Sequence, residues 1–243
     1  MEKTTNILLG LAIKHNGNWS SIYHDLQQKD YEGAEALAEA YTGSFITILD
    51  EEYPDYLKQA HKPPFVLFYN GDISLLKKEH TRVCVSTSRA TDEDSLSFLH
   101  SLINNDYNDI DYVISETTHN IEIDRKKHHA ICVAGCGLEL VNCTNYDLII
   151  SEYPSGTPKA SEGMLGAYRI MAGISSKIMV GKVKRLSGTN ALISFGLYQN
   201  KDILVMPVKP KENIEEDLGN NKLIYDGAIP LVDKEQLAFY LGH

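Results

Sequence analysis

Residues 82–103 read RVCVSTSRATDEDSLSFLHSLI and contain the pattern that decides the fold. The β-branched run from Arg82 to Ser86 predicts a buried strand. Residues 91–94, TDED, have the form of a capping box that opens a helix through Ile103. A strand followed closely by an amphipathic helix is the repeating unit of a parallel sheet. The stretch therefore predicts one β–α unit of an α/β fold.

The same alternation of strands and helices continues along the chain. Short β-branched runs lie between longer amphipathic segments, which predicts a mostly parallel, Rossmann-like sheet covered by helices. Two of the later helices are predicted over 158–172 and 188–200. The other predicted strands are Asp111 to Ser115, Ala130 to Ala134, Leu148 to Ser151, Lys177 to Val180 and Asp202 to Met206.

The first 50 residues have a different pattern. Short helices are predicted over 7–15, 20–28 and 31–41, with glycine and asparagine between them. Residues 52–72 then predict a helical turn, a proline stop and one strand. The sequence thus predicts a small helical N-terminal domain over 1–50 and a Rossmann-like domain over 51–243.

Composition indicates an ordinary globular protein, since 43% apolar residues over 243 positions can form a full core. We find no signal peptide and no apolar stretch of the roughly 20 residues that a membrane span needs. Four cysteines lie in or beside apolar runs, without paired metal-binding spacing. We therefore expect reduced thiols and a cytoplasmic protein.

The net charge of −10 argues against a general binder of polyanions, so any nucleic-acid site must be local. Cations do cluster, in the segment 125–129 (RKKHH) and again at Lys177, Lys182, Lys184 and Arg185. Each cluster alone is more often a solvated surface.

Ligands of a doubly wound sheet bind beyond the carboxyl ends of its strands, where helix N-termini offer N–H groups and partial positive charge. Segments 87–89 (TSR), 135–137 (GCG), 181–182 (GK) and 187–189 (SGT) occupy such positions in the predicted sheet. These loops are the predicted location of the binding site.

The sequence predicts neither catalysis nor a cofactor nor a metal site. It has no P-loop, no dinucleotide fingerprint and no HExxH motif. Asp124 and His128, four residues apart, fit an acid–base pair, but a structural hydrogen-bond network is the more common role of such a pair.

A series of short motifs nevertheless resembles one family. Residues 151–156 read SEYPSG, and residues 83–91 form a strand that ends in Thr-Ser-Arg followed by Ala-Thr. Further motifs in matching order are 53–54, 63–72, 123–128, 133–138, 169–175, 187–189 and 223–228. Their order and spacing over about 50–235 resemble the DprA/Smf (DNA-processing protein A) family.

The resemblance implies a protein that binds single-stranded DNA through an extended Rossmann-like domain and dimerises through it. Members protect incoming strands during natural transformation and pass them to the RecA recombinase. Many members add a C-terminal winged helix, and we expect none here because little sequence follows Gly227-Ala228.

Several positions depart from the family pattern. Thr87 replaces the usual glycine of Gly-Ser-Arg, 167–169 (AYR) replaces Arg-Asn-Arg, and Lys182 replaces an acidic residue. We expect one positive groove that follows the phosphates of a single strand. Its expected DNA-binding residues are Ser88, Arg89, Arg169, Lys182, Lys184, Arg185, Ser187, Gly188 and Thr189.

Two other functions stay open at this point. Phosphoribohydrolases of related fold cleave nucleotides, but they need a PGGxGTxxE-type loop that this sequence lacks. A degenerate paralogue that acts mainly through protein contacts, with the recombinase or with a second copy, would also fit the altered motifs.

Overall fold

The structure is a computed structural model that describes residues 2–87, 92–118, 121–142, 145–184, 187–208 and 214–242. Two compact units make up the chain. The first unit comprises residues 1–78 and 132–170, and the second comprises residues 79–131 and 171–243.

Helices and strands alternate along the described residues as the sequence predicts. The helices are α1 (Glu2–Lys14), α2 (Trp19–Gln28), α3 (Ala34–Glu39), α4 (Asp55–Lys58), α5 (Glu93–Ile103), α6 (Ser161–Ile174), α7 (Thr189–Tyr198), α8 (Ile214–Tyr225) and α9 (Lys234–Leu241). The strands are β1 (Phe45–Thr47), β2 (Val66–Gly71), β3 (Thr81–Ser86), β4 (Ile110–Ser115), β5 (His129–Ala134), β6 (Leu148–Ser151), β7 (Lys177–Val180), β8 (Asp202–Val205) and β9 (Ile229–Pro230).

In the first unit the N-terminal helices share a hydrophobic core with the strand β2. Leu8, Leu9 and Leu11 of α1 pack in one buried cluster with Val66 and Phe68. Strand β2 pairs antiparallel with β1 on one side and with β6 on the other. The helical segment thus packs on residues that follow position 50, and the domain boundary expected there stays a prediction.

Within the first unit, two glycines allow the main chain of the turn after β5 to contact the main chain of α6. A Cβ on Gly163 would lie 2.0 Å from the carbonyl oxygen of Gly135, and a Cβ on Gly135 would lie 2.6 Å from the carbonyl carbon of Gly163. No side chain fits at either position, so glycine is required at both.

The second unit contains strands in the order β4-β3-β7-β8-β9. Each neighbouring pair in this series is parallel. Val83, Cys84 and Val85 of β3 are completely buried, as expected for a strand covered on both faces. The predicted α/β class with a largely parallel, Rossmann-like sheet is confirmed.

Helix boundaries differ from the predictions by a few residues, for local reasons. The predicted helix over 31–41 begins only at Ala34 because Gly33, its N-cap, adopts the left-handed conformation with φ of 74°. Asp92 caps α5 by accepting a hydrogen bond from the Ser95 amide at 3.0 Å. Among the described residues, no helix is long and apolar enough to cross a membrane.

A buried asparagine of α8 fixes the loop that follows β7. The Asn220 side chain is completely buried and accepts a hydrogen bond from the Val183 amide at 2.8 Å. It donates to the carbonyl oxygens of Gly181 at 2.5 Å and Met206 at 2.8 Å. One amide therefore satisfies three main-chain groups at the carboxyl ends of β7 and β8.

We predict that Asn220→Ala lowers the free energy of unfolding by about 2–3 kcal/mol, because it leaves buried main-chain groups without partners. Urea denaturation measures this loss. The neighbouring Asn221 is the matched control: its side chain is half-buried and exchanges two hydrogen bonds with the main chain of Val208, so Asn221→Ala should cost clearly less. Equal losses in the two variants would contradict the role given to Asn220.

Candidate nucleic-acid interface

The adjacent strands β3 and β7 end at the same edge of the second unit. Ser86 pairs with Val180 in parallel register, so the loops that follow the two strands meet. The Thr87 hydroxyl donates to the Lys182 carbonyl at 3.2 Å. A Cβ on Gly181 would lie 2.8 Å from the Thr87 hydroxyl oxygen, so a larger residue at position 181 would force the Thr87 side chain to move.

The N-terminus of α7 is attached to the end of β3. The hydroxyl groups of Thr189 and Ser86 lie 3.1 Å apart, and both residues are buried. Gly188 is the N-cap of α7. The Thr189 hydroxyl is thus used in an internal hydrogen bond, and the amides of Asn190 and Ala191 donate to the carbonyls of Ser187 and Gly188.

Ser187 adds a polar group to the same turn. Its hydroxyl oxygen is buried and has no hydrogen-bond partner among the described residues. Its carbonyl accepts from the Asn190 amide at 3.1 Å, which starts α7. A buried hydroxyl without a partner is uncommon in folded proteins.

Lys182 is held by an acidic residue. Its ammonium group lies 2.8 Å from the carboxylate of Asp92, the N-cap of α5, and only 14% of its side chain is exposed. The hydrogen bond from Lys182 and the amide of Ser95 hold the pKa of Asp92 far below its usual range. The charge of Lys182 is thereby largely neutralised within the second unit.

Arg169, in α6, forms a buried ion pair within the first unit. Its Nη2 atom lies 2.5 Å from Glu152 Oε2, and the two side chains are 7% and 5% exposed. The pair joins α6 to the SEYP turn, where the Ser151 hydroxyl also donates to the Cys136 carbonyl at 2.8 Å. The Arg169 Nη1 atom is buried and has no acceptor among the described residues, so one donor of the guanidinium is unused.

The other predicted site residues divide into two groups. Lys184 is half-buried in the loop after β7, and Gly188 is exposed. Ser88, Arg89 and Arg185 lie outside the described residues. The second unit therefore brings Lys182, Lys184 and the turn at 187–189 to the carboxyl edge of its strands, while Arg169 belongs to the first unit.

The contacts of His128 favour a structural role. Its ring lies in a buried position where Nε2 is 3.0 Å from the Asn105 carbonyl oxygen, and the ring packs edge-on against Tyr112. The side chain of Asp124 accepts from the Lys126 amide at 3.1 Å. Their four-residue spacing reflects a main-chain turn, in which the His128 amide donates to the Asp124 carbonyl.

Sequence reasoning missed two residues that shape this edge. Asn220 holds the loop at 181–183, and Asp92, predicted only to belong to a helix start, also binds Lys182. The only signal for Asn220 is an asparagine pair inside a helix, where asparagine is unfavourable unless its side chain bonds elsewhere.

We predict that Arg169→Met lowers the free energy of unfolding by about 3–5 kcal/mol, because Glu152 would stay buried without a cation. Urea denaturation measures the effect. The double variant Arg169→Met with Glu152→Gln should recover part of the loss, since the buried charge is then removed. A single variant as stable as the wild type would contradict a buried pair.

A second prediction concerns Asp92. Asp92→Asn loses the charge but keeps a side chain that can cap α5. Asp92→Ala loses both the charge and the cap, so it should be about 1 kcal/mol less stable than Asp92→Asn. The lowered pKa in the folded protein means that the carboxylate stabilises the fold fully above the unfolded pKa of about 3.9 and loses this effect as the pH falls below it. Thermal unfolding should therefore show the difference between wild type and Asp92→Asn shrinking below about pH 4. A difference that is constant with pH would contradict the Lys182 contact.

Comparison with known proteins agrees with this architecture. A family model described as DNA recombination-mediator protein A matches residues 44–241. The protein Smf of Synechocystis is 26% identical over 220 residues, covering 82% of this chain and 54% of that protein. The DNA processing protein DprA of Streptococcus pneumoniae is 26% identical over 200 residues, covering 75% and 68%. The chain thus spans about half the length of the cyanobacterial relative.

Two solved structures share the fold. DNA processing protein A from Streptococcus pneumoniae matches with a TM-score of 0.72 at 22% identity, over 90% of this chain and 80% of that one. The Helicobacter pylori protein, whose structure is described as revealing a unique single-stranded DNA binding mode, matches with a TM-score of 0.65 at 20% identity, over 82% and 96%. Because the family model covers most of the chain, the protein belongs to the DNA recombination-mediator protein A family, that of DprA and Smf.

Proposed function

We propose that this protein binds single-stranded DNA at the carboxyl edge of β3 and β7. The observation that carries the proposal is that the loop containing Lys182 and Lys184 follows β7 at the edge where Thr87 contacts Lys182 and Ser86 contacts Thr189 of α7. Ligands of doubly wound sheets bind at this edge. Membership of the family and the DNA-binding mode named for the Helicobacter pylori protein support the same function.

The chemistry of this edge suits phosphate groups. The N-terminus of α7 carries partial positive charge, which favours an anion, although the amides of Asn190 and Ala191 already donate to the carbonyls of Ser187 and Gly188. The Ser187 hydroxyl has no partner among the described residues, but it is buried and would have to become accessible before it could donate to a phosphate. Since the chain carries a net charge of −10, we expect few phosphates to be neutralised and a shallow dependence of affinity on salt.

The wider role is part of the proposal. We infer that the protein protects incoming strands during natural transformation and assists loading of the RecA recombinase, in the cytoplasm, as a homodimer and without catalysis. The resemblance of the motifs and the family match support this role. Ser88, Arg89, Arg185 and the unused Nη1 group of Arg169 remain proposed DNA contacts.

A second function is favoured by one observation. Lys182 and Arg169, which sequence reasoning assigned to DNA, are both paired with carboxylates of the same chain. A protein that acts mainly through contacts with other proteins would have no need to expose these cations. Titration with single-stranded DNA separates the two functions.

Fluorescence anisotropy of labelled oligo-dT, titrated at several salt concentrations, tests DNA binding. Lys182→Gln should weaken binding and reduce the slope of log affinity against log salt by about 0.7, the value for one phosphate contact on a single strand. Lys177→Gln is the matched control, because Lys177 lies at the opposite end of β7 and pairs with Asp202. It should change neither quantity.

Asp92→Asn provides the opposite test. It removes the carboxylate that neutralises Lys182, so it should strengthen binding of oligo-dT at low salt, while duplex of equal length should bind more weakly than oligo-dT in every variant. If the wild type binds no oligo-dT at low salt, or if all three variants bind alike, the proposed DNA site is wrong and the protein-contact function stands.

A further inference from the structure

Three ionisable side chains meet at the amino ends of β3, β4 and β5, at the opposite edge from the proposed DNA site. His80 directly precedes β3, Asp111 is the second residue of β4, and His129 is the first residue of β5. All three belong to the second unit. Each offers one ligand atom, and these atoms lie within 4.8 Å of one another.

The carboxylate is at the centre of the group. Asp111 Oδ1 lies 3.0 Å from Nδ1 of His80 and 3.0 Å from Nδ1 of His129. The two imidazole rings are stacked, with centroids 5.8 Å apart. Asp111 is completely buried, whereas the side chains of His80 and His129 are 20% and 40% exposed. The group is thus buried at its base and open towards solvent.

We propose that His80, Asp111 and His129 bind a divalent transition-metal ion, with Zn²⁺ as the representative case. Imidazole nitrogen and carboxylate oxygen are common ligands of Zn²⁺. In a tetrahedral site with bonds of about 2.0–2.1 Å, two ligand atoms lie about 3.4 Å apart. The observed separations of 3.0 Å between nitrogen and oxygen are close to that value, so small side-chain rotations suffice to admit the ion.

The remaining oxygen of Asp111 supports this assignment. Oδ2 is buried, has no hydrogen-bond partner among the described residues, and lies 3.9 Å from Arg82 Nε. The guanidinium of Arg82 therefore faces Oδ2 and leaves Oδ1 directed at the two histidines. Outer groups of this kind commonly orient a metal-binding carboxylate. The same arginine also limits the affinity, because it neutralises part of the carboxylate charge.

An ion can reach the group from solvent. A cleft of about 330 Å³ is lined by His80, His129, Asn108, Asp109, Ile110 and Lys127. Asp109 Oδ1 lies 3.5 Å from His80 Nε2 and adds negative charge to the rim. Lys127, the cation of the cleft, is paired with Asp106 at 2.5 Å, which reduces its repulsion of a metal ion. Water would occupy the fourth coordination position.

Direct metal binding tests the proposal. The full chain, freed of metal with a chelator, is titrated calorimetrically with Zn²⁺ and separately with Co²⁺, whose visible absorption reports the geometry and ligands. We expect one ion per chain and no thiolate charge-transfer band, since no cysteine takes part. His80→Gln and His129→Gln should each weaken binding at least about tenfold, and the double variant should abolish it.

His24→Gln is the matched control, because His24 is an exposed histidine of α2 in the first unit. It should bind the metal as the wild type does. Circular dichroism and urea denaturation without metal establish that the variants are folded, and the two single variants give independent readings if the double variant is not. The proposal is overturned if the wild type binds no Zn²⁺, or if the double variant binds it equally well. Binding of oligo-dT does not enter this test.

Discussion

The hydrogen bonds of the Asn220 side-chain amide hold the loop at the carboxyl edge of the second unit in place. Parallel strands end in carbonyl and amide groups that have no further neighbour, and burial makes each of them costly unless it is bonded. Asn220 bonds to Gly181, Val183 and Met206. The loop after β7 is thereby fixed, and with it the position from which Lys182 reaches Asp92.

Oppositely charged side chains are also paired within the chain. An acidic protein has enough carboxylates to pair most of its cations, and the pairs Lys182–Asp92 and Arg169–Glu152 show this pairing in the loops that sequence reasoning assigned to DNA. A ligand that takes over Lys182 must compete with a carboxylate that also caps α5. The pair stabilises the start of α5, and a phosphate at the proposed DNA site would have to displace it.

Local sequence patterns predicted the fold class and most strands, but they could not predict which side chains from distant positions are in contact. Buried β-branched runs identified β3, β4 and β7, and the order of short motifs identified the family. The predicted domain boundary at residue 50 remains a prediction, although α1 packs on β2. The partners of Lys182 and the meeting of His80 with Asp111 and His129 could not be read from the sequence, because packing of the strands brings together residues dozens of positions apart.

The contact between Gly135 and Gly163 constrains how this protein can evolve. In a packed core, a larger side chain at one position can be accommodated by a smaller one opposite. Here each glycine faces main-chain atoms of the other, and no substitution can shorten a carbonyl group. Neither position can drift while its partner compensates, so we expect homologues that keep this approach of turn and helix to retain both glycines, even where the surrounding sequence has diverged.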